Sequence, residues 1–386
     1  MATTSRIVSV PSATPRDLAQ WSELRDRALE PYPFLDPRMV MASLPHMALA
    51  QDLSLLFVEE GDDLLAIVPI TVTRLASSPH ARIVSTRAKY LDDQGGWHHP
   101  LIDASRAEDA FAGIFVAMKS HGLPRLVEFS RLPLGGPLEG ALIGAADRHR
   151  VDLVELERTE FVYSPRPSAE GSPEAAENPD LPNFGLPHQS LRTRKNQARE
   201  ARQLEHELGT TLRIEERGAD PTAISDFIEL QASGWKGDQE RGGHSIRTER
   251  MDDWFRQAAA RYRADNALLV LALVAGDQVL HMSVQTRIGD EVFAWQDAYD
   301  ERYAEFRAGV LGRVACMNRT LATPGVRLFD PNFYSATGEA SRLFSARGHR
   351  ATILAANGSA MARGVVAAIP AARSFRKTAK SALRRG

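Results

Sequence analysis

One pattern occurs twice in this chain, and the repetition constrains the fold more than any other feature. "LSLLFVEEGDDLLAIVPITVT" (53–73) and "LLVLALVAGDQVLHMSVQT" (268–286) each read as an apolar strand, a turn at Gly-Asp and a second apolar strand. With Gly61 placed on Gly276, Leu53 meets Leu268, Leu55 meets Val270 and Leu64 meets Val279. Gly-Asp between apolar runs signals a hairpin. A helix-like stretch precedes each copy, "DLAQWSELRDRAL" and "TAISDFIELQASGW". The shared order of helix, strand, turn and strand predicts two similar domains, for which 386 residues leave room.

The stretch "SPRPSAEGSPEAAENPDLPNFGLPH" (164–188) separates the halves and is rich in Pro, acid and small residues, the composition of an exposed linker. The second half then reads helix (190–209, ending at Gly209), helix (222–235), helix (249–263), strands (267–274, 278–287, 291–298), helix (309–322), strand (326–330), helix (338–347) and strand (350–355). Three successive strands followed by a crossover helix make a mixed α/β order. The expected division is 1–163, a linker at 164–189, a second domain at 190–356 and a basic tail at 357–386.

Composition sets limits. Apolar content of 43% and charged content of 25% are those of a soluble globular protein. The net charge of −2 gives no bulk attraction to DNA or another polyanion, so any basic site must be local. Cys316 is the single cysteine, which excludes internal disulfides and a cysteine-built zinc site. The start of the chain lacks a secretory pattern, and the longest apolar run, "ALLVLALVAG" (267–276), is too short to span a bilayer as a helix. The expectation is a cytoplasmic protein.

The junction "WQDAYDERYAEFRAGVLGR" (295–313) carries the most chemistry. A strand runs into acids, then into Arg307, Gly309 and Gly312 at the start of an apolar helix. Helix starts present backbone N–H groups without internal partners, and their dipole favours an anion. Glycines there admit a phosphate close to the backbone. They serve equally to turn the chain or to pack the helix on the sheet, and both readings stand at this point.

The segment after that helix narrows the choice. "LFDPNFYSATGEASRLFSARGHR" (328–350) reads as a strand, a polar loop and a short helix. Together with the strand–Arg-x-Gly-x-x-Gly–helix element it resembles the acyl-CoA-binding half of the GNAT acyltransferase superfamily. Ala340, Leu343, Phe344, Gly348 and His349 fall where that family has an Ala-x-x-Leu-Tyr-x-x-x-Gly-Phe motif. "YPFLDPRMV" (32–40), "SLRTRKNQAREARQLEHELG" (190–209) and "FIELQASGWKG" (227–237) look like the tandem, CelD-like branch, related to FemAB-type transferases. The resemblance runs from about Trp21 to about Leu354. It implies an α/β (α+β) fold of two tandem GNAT-like domains, each a mixed, mostly antiparallel sheet flanked by helices.

The same resemblance implies acyl-CoA-dependent N-acyltransfer, with acetyl-CoA or another acyl-CoA as co-substrate and no metal. Its phosphate loop would be Phe306, Arg307, Ala308, Gly309, Val310, Leu311 and Gly312. Asp297, at the end of the third strand, is the first candidate base or ammonium binder, with Glu339 and Tyr334 as further catalytic candidates. Tyr334 enters because Phe344 stands where many members place a proton-donating tyrosine, and a phenyl ring has no proton to give. Trp235, Lys236 and Asp330 are the substrate-side candidates. His281, mid-strand in an apolar run, reads as a core residue. The acceptor amine, whether on a small molecule, sugar, lipid or peptide, is left open. Two rivals remain: a FemAB-type transferase fed by aminoacyl-tRNA, and a non-catalytic GNAT-like interaction protein.

Two basic stretches stand apart. The 190–209 helix carries Arg192, Arg194, Lys195, Arg199 and Arg202 followed by Glu205 and Glu207, which predicts a solvated face with i,i+4 pairs. The tail "AARSFRKTAKSALRRG" places Ala372, Phe375, Ala379 and Leu383 at helical spacing among arginines and lysines, a candidate for peripheral contact with an anionic membrane.

Overall fold

The computed structural model describes residues 3–76, 78–167, 180–333 and 336–369. Two compact units emerge, and neither is a continuous half of the chain. The first takes Met1–Pro37, Met47–Phe161 and the chain from Gly348 onward; the second takes Arg38–His46 and Val162–Arg347.

In the first unit, β1 (Thr3–Ser9) leads into α1 (Pro15–Asp26). A capping box fixes that start: Thr14 accepts from the Asp17 N–H while the Asp17 carboxylate accepts from the Thr14 N–H, with Pro15 at the first helical position. Short helices α2 (Pro37–Ser43, counted largely with the second unit) and α3 (Ala48–Gln51) precede the hairpin β2 (Ser54–Glu60) and β3 (Asp63–Pro69). Next come β4 (Thr71–Leu75), β5 (Ser78–Ser85), α4 (Lys89–Gln94), β6 (Leu101–Ile102), α5 (Ala107–Ser120), β7 (Leu126–Pro133), α6 (Pro137–His149) and β8 (Asp152–Pro165, counted with the second unit from Val162). The order β1-β2-β3-β6 forms an antiparallel sheet. Helices α5 and α6 bury Phe111, Ile114, Phe115 and Leu142 against Val58 and Phe129 of the strands.

The second unit opens with α7 (Leu191–Leu208), started by the Ser190 side chain accepting from the Thr193 N–H and stopped by Gly209 in the left-handed conformation. It continues through β9 (Leu212–Glu216), α8 (Ala223–Ser233), α9 (Asp252–Ala264), β10 (Leu268–Ala275), β11 (Gln278–Ile288), β12 (Glu291–Tyr299), α10 (Ala308–Ala322) and β13 (Leu328–Asp330). The strands lie in the order β13-β12-β11-β10-β9, with β12 and β13 parallel and the other pairs antiparallel. Every residue of β10 is buried, because helices cover both faces of the sheet. On one face Leu271, Leu273 and Leu280 meet Leu204 of α7 and Leu311 of α10. An aromatic group covers the other: Phe255 of α9 lies 4.2 Å from Trp295 of β12 and 5.7 Å from Phe227 of α8, ring centre to ring centre.

Both hairpins expected from the sequence are present. Gly61-Asp62 and Gly276-Asp277 make two-residue turns, with positive φ at each glycine (63° and 58°) and not at the aspartate. That is the type II′ pattern. Each unit also places a strand, a helix, the hairpin, a further helix and another strand in the same order, so the doubled sequence pattern is a doubled fold.

Two expectations need correction. The helix expected at 338–347 is a short 3-10 turn, Glu339–Leu343, after which the chain is already extended as β14 (Ala346–Ala356). And β14, expected to complete the second domain, lies almost wholly in the first unit, where Ile353, Leu354 and Ala355 pair antiparallel with Phe129, Glu128 and Val127 of β7. Its apolar residues Ile353 and Leu354 find their core there. Residues 168–179 of the linker and 370–386 of the basic tail, with Ala372, Phe375, Ala379 and Leu383, lie outside the described residues. Among the described residues no helix is long and apolar enough to cross a membrane.

Candidate functional site

β12 ends at Tyr299 and α10 begins at Ala308; between them Glu301–Phe306 form a 3-10 turn, capped by the Asp300 side chain accepting from the Arg302 N–H. Arg307 is left-handed (φ 57°, ψ 35°), which is uncommon for a residue with a side chain. The chain therefore turns sharply at Arg307 and starts α10 with no acid in its first turn. The N–H groups of Ala308 and Gly309 belong to that first turn, where a helix supplies no acceptor.

The glycines have a packing role that the sequence left open. A Cβ on Gly312 would lie 2.2 Å from Cγ of His281, so α10 seats directly on β11. A Cβ on Gly309 would lie 2.9 Å from the Tyr299 ring. Close seating of α10 against the strand ends brings its start to the rim of a cavity of about 340 Å³. Of the expected site residues, Trp235, Lys236, Asp297, Arg307, Gly309 and Val310 line it together.

A charged group fills its wall. Asp297 Oδ2 accepts from Arg313 Nε at 2.8 Å and from Nη2 of the same guanidinium. Lys236 Nζ donates to the Asp297 carbonyl oxygen at 2.7 Å and lies 3.6 Å from its Oδ1. Burial pushes the Asp297 carboxyl up, but Arg313 and Lys236 outweigh it and hold the group well below the usual carboxylate range. His281, behind Gly312, is lowered to about 4 by burial and so is neutral near pH 7. Its Nδ1 is 3.7 Å from the Cys316 sulfur, whose thiol burial pushes up. On the opposite wall Glu301 accepts from the Trp235 N–H at 2.7 Å. Gln231 donates to Gln296 at 3.1 Å and accepts from the Ile246 N–H, tying α8 to β12.

The remaining candidates fall elsewhere. Ala308 and Leu311 are buried in the core beneath α10, and Phe306 flanks that core. Asp330 is buried at the end of β13, where its Oδ1 accepts from the Asn332 N–H at 2.6 Å; it does not line the cavity. Glu339 begins the short 3-10 turn, its side chain is not described, and Tyr334 lies outside the described residues. Phe344 is a core ring, stacked on Phe329 and edge-on to Phe333. Sequence reasoning missed Arg313, Gln231, Tyr299 and Glu301 as wall residues. Arg313 was the most accessible, since it follows Gly309 by four residues and shares its helix face.

β12 and β13 pair only from Glu291–Leu328 to Phe293–Asp330. Beyond that point no pairing of β12 with β13 is present among the described residues, and β12 carries one extra residue, Trp295, relative to β11. A parallel pair that separates at the mouth of a crossover helix leaves strand N–H and C=O groups open to a ligand. Residues 192–332, which span α7 to β13, match the family model described as an acetyltransferase (GNAT) domain. The chain carries a GNAT domain. FemX shares 8% identity with the chain over 92% of it and 97% of FemX, at a TM-score of 0.55. A conserved protein of unknown function from Bacteroides thetaiotaomicron shares 7% over 92% and 100%, at 0.50. These likenesses are of fold, and they take in both units rather than the GNAT domain alone. No curated protein matches the sequence.

Proposed function

We propose that the protein is an N-acyltransferase that moves an acyl group from acyl-CoA to an amine acceptor. The observation that carries this reading is the start of α10: an acid-free first turn, two N–H groups without helical acceptors and Arg307 at the rim of a cavity where β12 and β13 part. The first unit offers a contrast, because the first turn of α5 carries Glu108 and Asp109, which repel an anion. Coenzyme A would set its pyrophosphate at Gly309 beside Arg307, both of which line the cavity, with the thioester reaching into it. The fit rests on donor chemistry, since phosphate is well matched to free N–H groups and a guanidinium.

In the reaction the acceptor nitrogen attacks the thioester carbonyl, the C–N bond forms, the C–S bond breaks and the thiolate leaves. The acceptor ammonium must first lose a proton. Asp297, held ionised by Arg313 and Lys236, is a weak proton acceptor but a fixed anion against which the amine can be oriented. Solvent entering the open cavity takes that proton and the second one, which the nitrogen sheds once the C–N bond has formed. Phe344 donates nothing, so the departing thiolate is protonated by water as well. Trp235, 39% exposed at the rim, supplies an apolar wall for the acceptor.

The test is calorimetric titration of the purified protein with acetyl-CoA and a longer acyl-CoA, repeated with Arg307→Glu. Arg307 is exposed but pairs with Glu200 at 3.4 Å, so thermal melting of the variant checks that the fold is kept. Binding weakened at least about tenfold by the substitution supports the reading. No binding of either ligand to folded protein sinks it.

A further inference from the structure

The outward face of α7 is more ordered in its charge than the sequence suggested. Arg192, Lys195, Arg199, Arg202 and His206, spaced three, four, three and four apart, are all exposed and fall on one stripe of the helix. The stripe is about 21 Å long at 1.5 Å per residue. Gln197, Ala201 and Leu204 occupy the opposite, buried face. The expected i,i+4 neutralisation is absent: among the described residues no ion pair joins Arg192, Lys195, Arg199 or Arg202 to an acid. Glu205 instead accepts from the Leu212 N–H, and Glu200 faces Arg307 at 3.4 Å.

The stripe meets the site at one end. Arg199, Arg202, Gln203, His206 and Glu207 line a hollow of about 360 Å³ together with Phe306. Phe306 adjoins Arg307, which lines the reaction cavity, so consecutive residues of one turn line the two hollows. A donor whose thioester or ester occupies the cavity and whose phosphates cross the start of α10 continues into this hollow. There it meets two unneutralised guanidiniums and an aromatic ring. Glu207 on the lining opposes one unit of that charge, and two arginines leave a surplus.

We propose that this hollow binds the phosphorylated adenosine end of the acyl donor: guanidiniums of Arg199 and Arg202 on a phosphate monoester or diester, with Phe306 beside the base. The inference rests on the acyl-donor reading above and deepens it. Its chemistry has two sources, the 3′-phosphoadenosine of coenzyme A and the 3′-terminal nucleotides of an RNA-borne donor. A coenzyme A phosphate reaches only the Arg199–His206 end of the stripe. An RNA strand follows the whole of it, including Arg192 and Lys195.

The full chain is titrated with coenzyme A, dephospho-coenzyme A and a deacylated tRNA, in the wild type, Arg199→Glu/Arg202→Glu, Arg192→Glu/Lys195→Glu and Arg307→Glu. Thermal melting of each variant checks that these exposed substitutions leave the fold intact. For coenzyme A as the source, the wild type prefers it over dephospho-coenzyme A by roughly tenfold or more. Arg199→Glu/Arg202→Glu erases that preference, and Arg192→Glu/Lys195→Glu leaves it. For RNA as the source, tRNA binds, both double variants weaken it by roughly tenfold or more, and the 3′-phosphate of coenzyme A makes no difference. If Arg199→Glu/Arg202→Glu changes neither ligand, the hollow is not the site; coenzyme A binding still sensitive to Arg307→Glu would then leave the donor reading standing. If neither ligand binds folded wild type, both inferences fall together.

Discussion

At the scale of single residues, the site is organised by one ionised carboxylate and one missing side chain. Asp297 is shared by Arg313 and Lys236 and titrates below the usual carboxylate range, so it contributes no limb to a pH–rate profile between about pH 5 and 8. We expect Asp297→Asn to lower kcat by at least about tenfold while the position of any limb stays where it is in the wild type. A limb that disappears with the substitution would show that Asp297 is the base after all. Gly312 is the missing side chain. Alanine favours a helix interior by up to about 1 kcal/mol over glycine. Here, though, its Cβ would sit 2.2 Å from His281, and overpacking of this kind costs about 1–3 kcal/mol. Gly312→Ala is therefore expected to lower the denaturation midpoint, and an unchanged midpoint would show that α10 can slide on β11.

At the scale of elements, two helices following strands differ in what they put at their first turn. α5 begins with Glu108 and Asp109 and α10 with none, so of these two only the second suits an anion. Exchanging that property is the direct check. Ala308 is buried, whereas Val310 is only partly so and lines the cavity, which makes Val310→Asp the useful change. It places a carboxylate in the first turn of α10, and acyl-CoA affinity should fall by roughly tenfold or more, with melting temperature lowered by only a few degrees. Retained affinity would move the phosphate site away from this helix.

At the scale of the whole molecule, stability depends on chain ends and on buried imidazoles. β14 pairs with β7, and the helical residues 360–369 bury Ala362, Val366 and Ile369 on Leu75, Ile83 and Leu126. Truncation after residue 347 should leave an aggregating protein, because it strips a strand and its core from the first unit. Truncation after Ile369 keeps both β14 and the contacts of Ala362, Val366 and Ile369, and should leave a protein that does not aggregate. His281 and His99 are each lowered from 6.5 to about 4 by burial. A group whose folded pKa is depressed in this way binds its proton more readily when unfolded. Each histidine therefore contributes stability that is present above about pH 6.5 and lost as pH falls toward about 4, on the order of a few kcal/mol apiece. The unfolding free energy measured across that window should fall steadily. The Asp297 contribution is lost mainly below the ordinary carboxylate pKa of 3.8, past the lower end of that window.

The sequence by itself determined the elements and their duplication. Apolar runs, Gly-Asp turns and the Gly209 stop are local signals, and local signals are legible because backbone geometry enforces them within a few residues. The strand-to-helix junction at Arg307 was legible for the same reason. Tertiary structure alone decided what lies across space: that β14 belongs with β7, that Gly312 serves His281, that Arg313 and Lys236 converge on Asp297, and that the arginines of the α7 stripe face outward and form no ion pair among the described residues. Those facts depend on which faces of distant elements are pressed together, and burial of apolar surface, being non-directional, leaves no mark of its partner in the sequence.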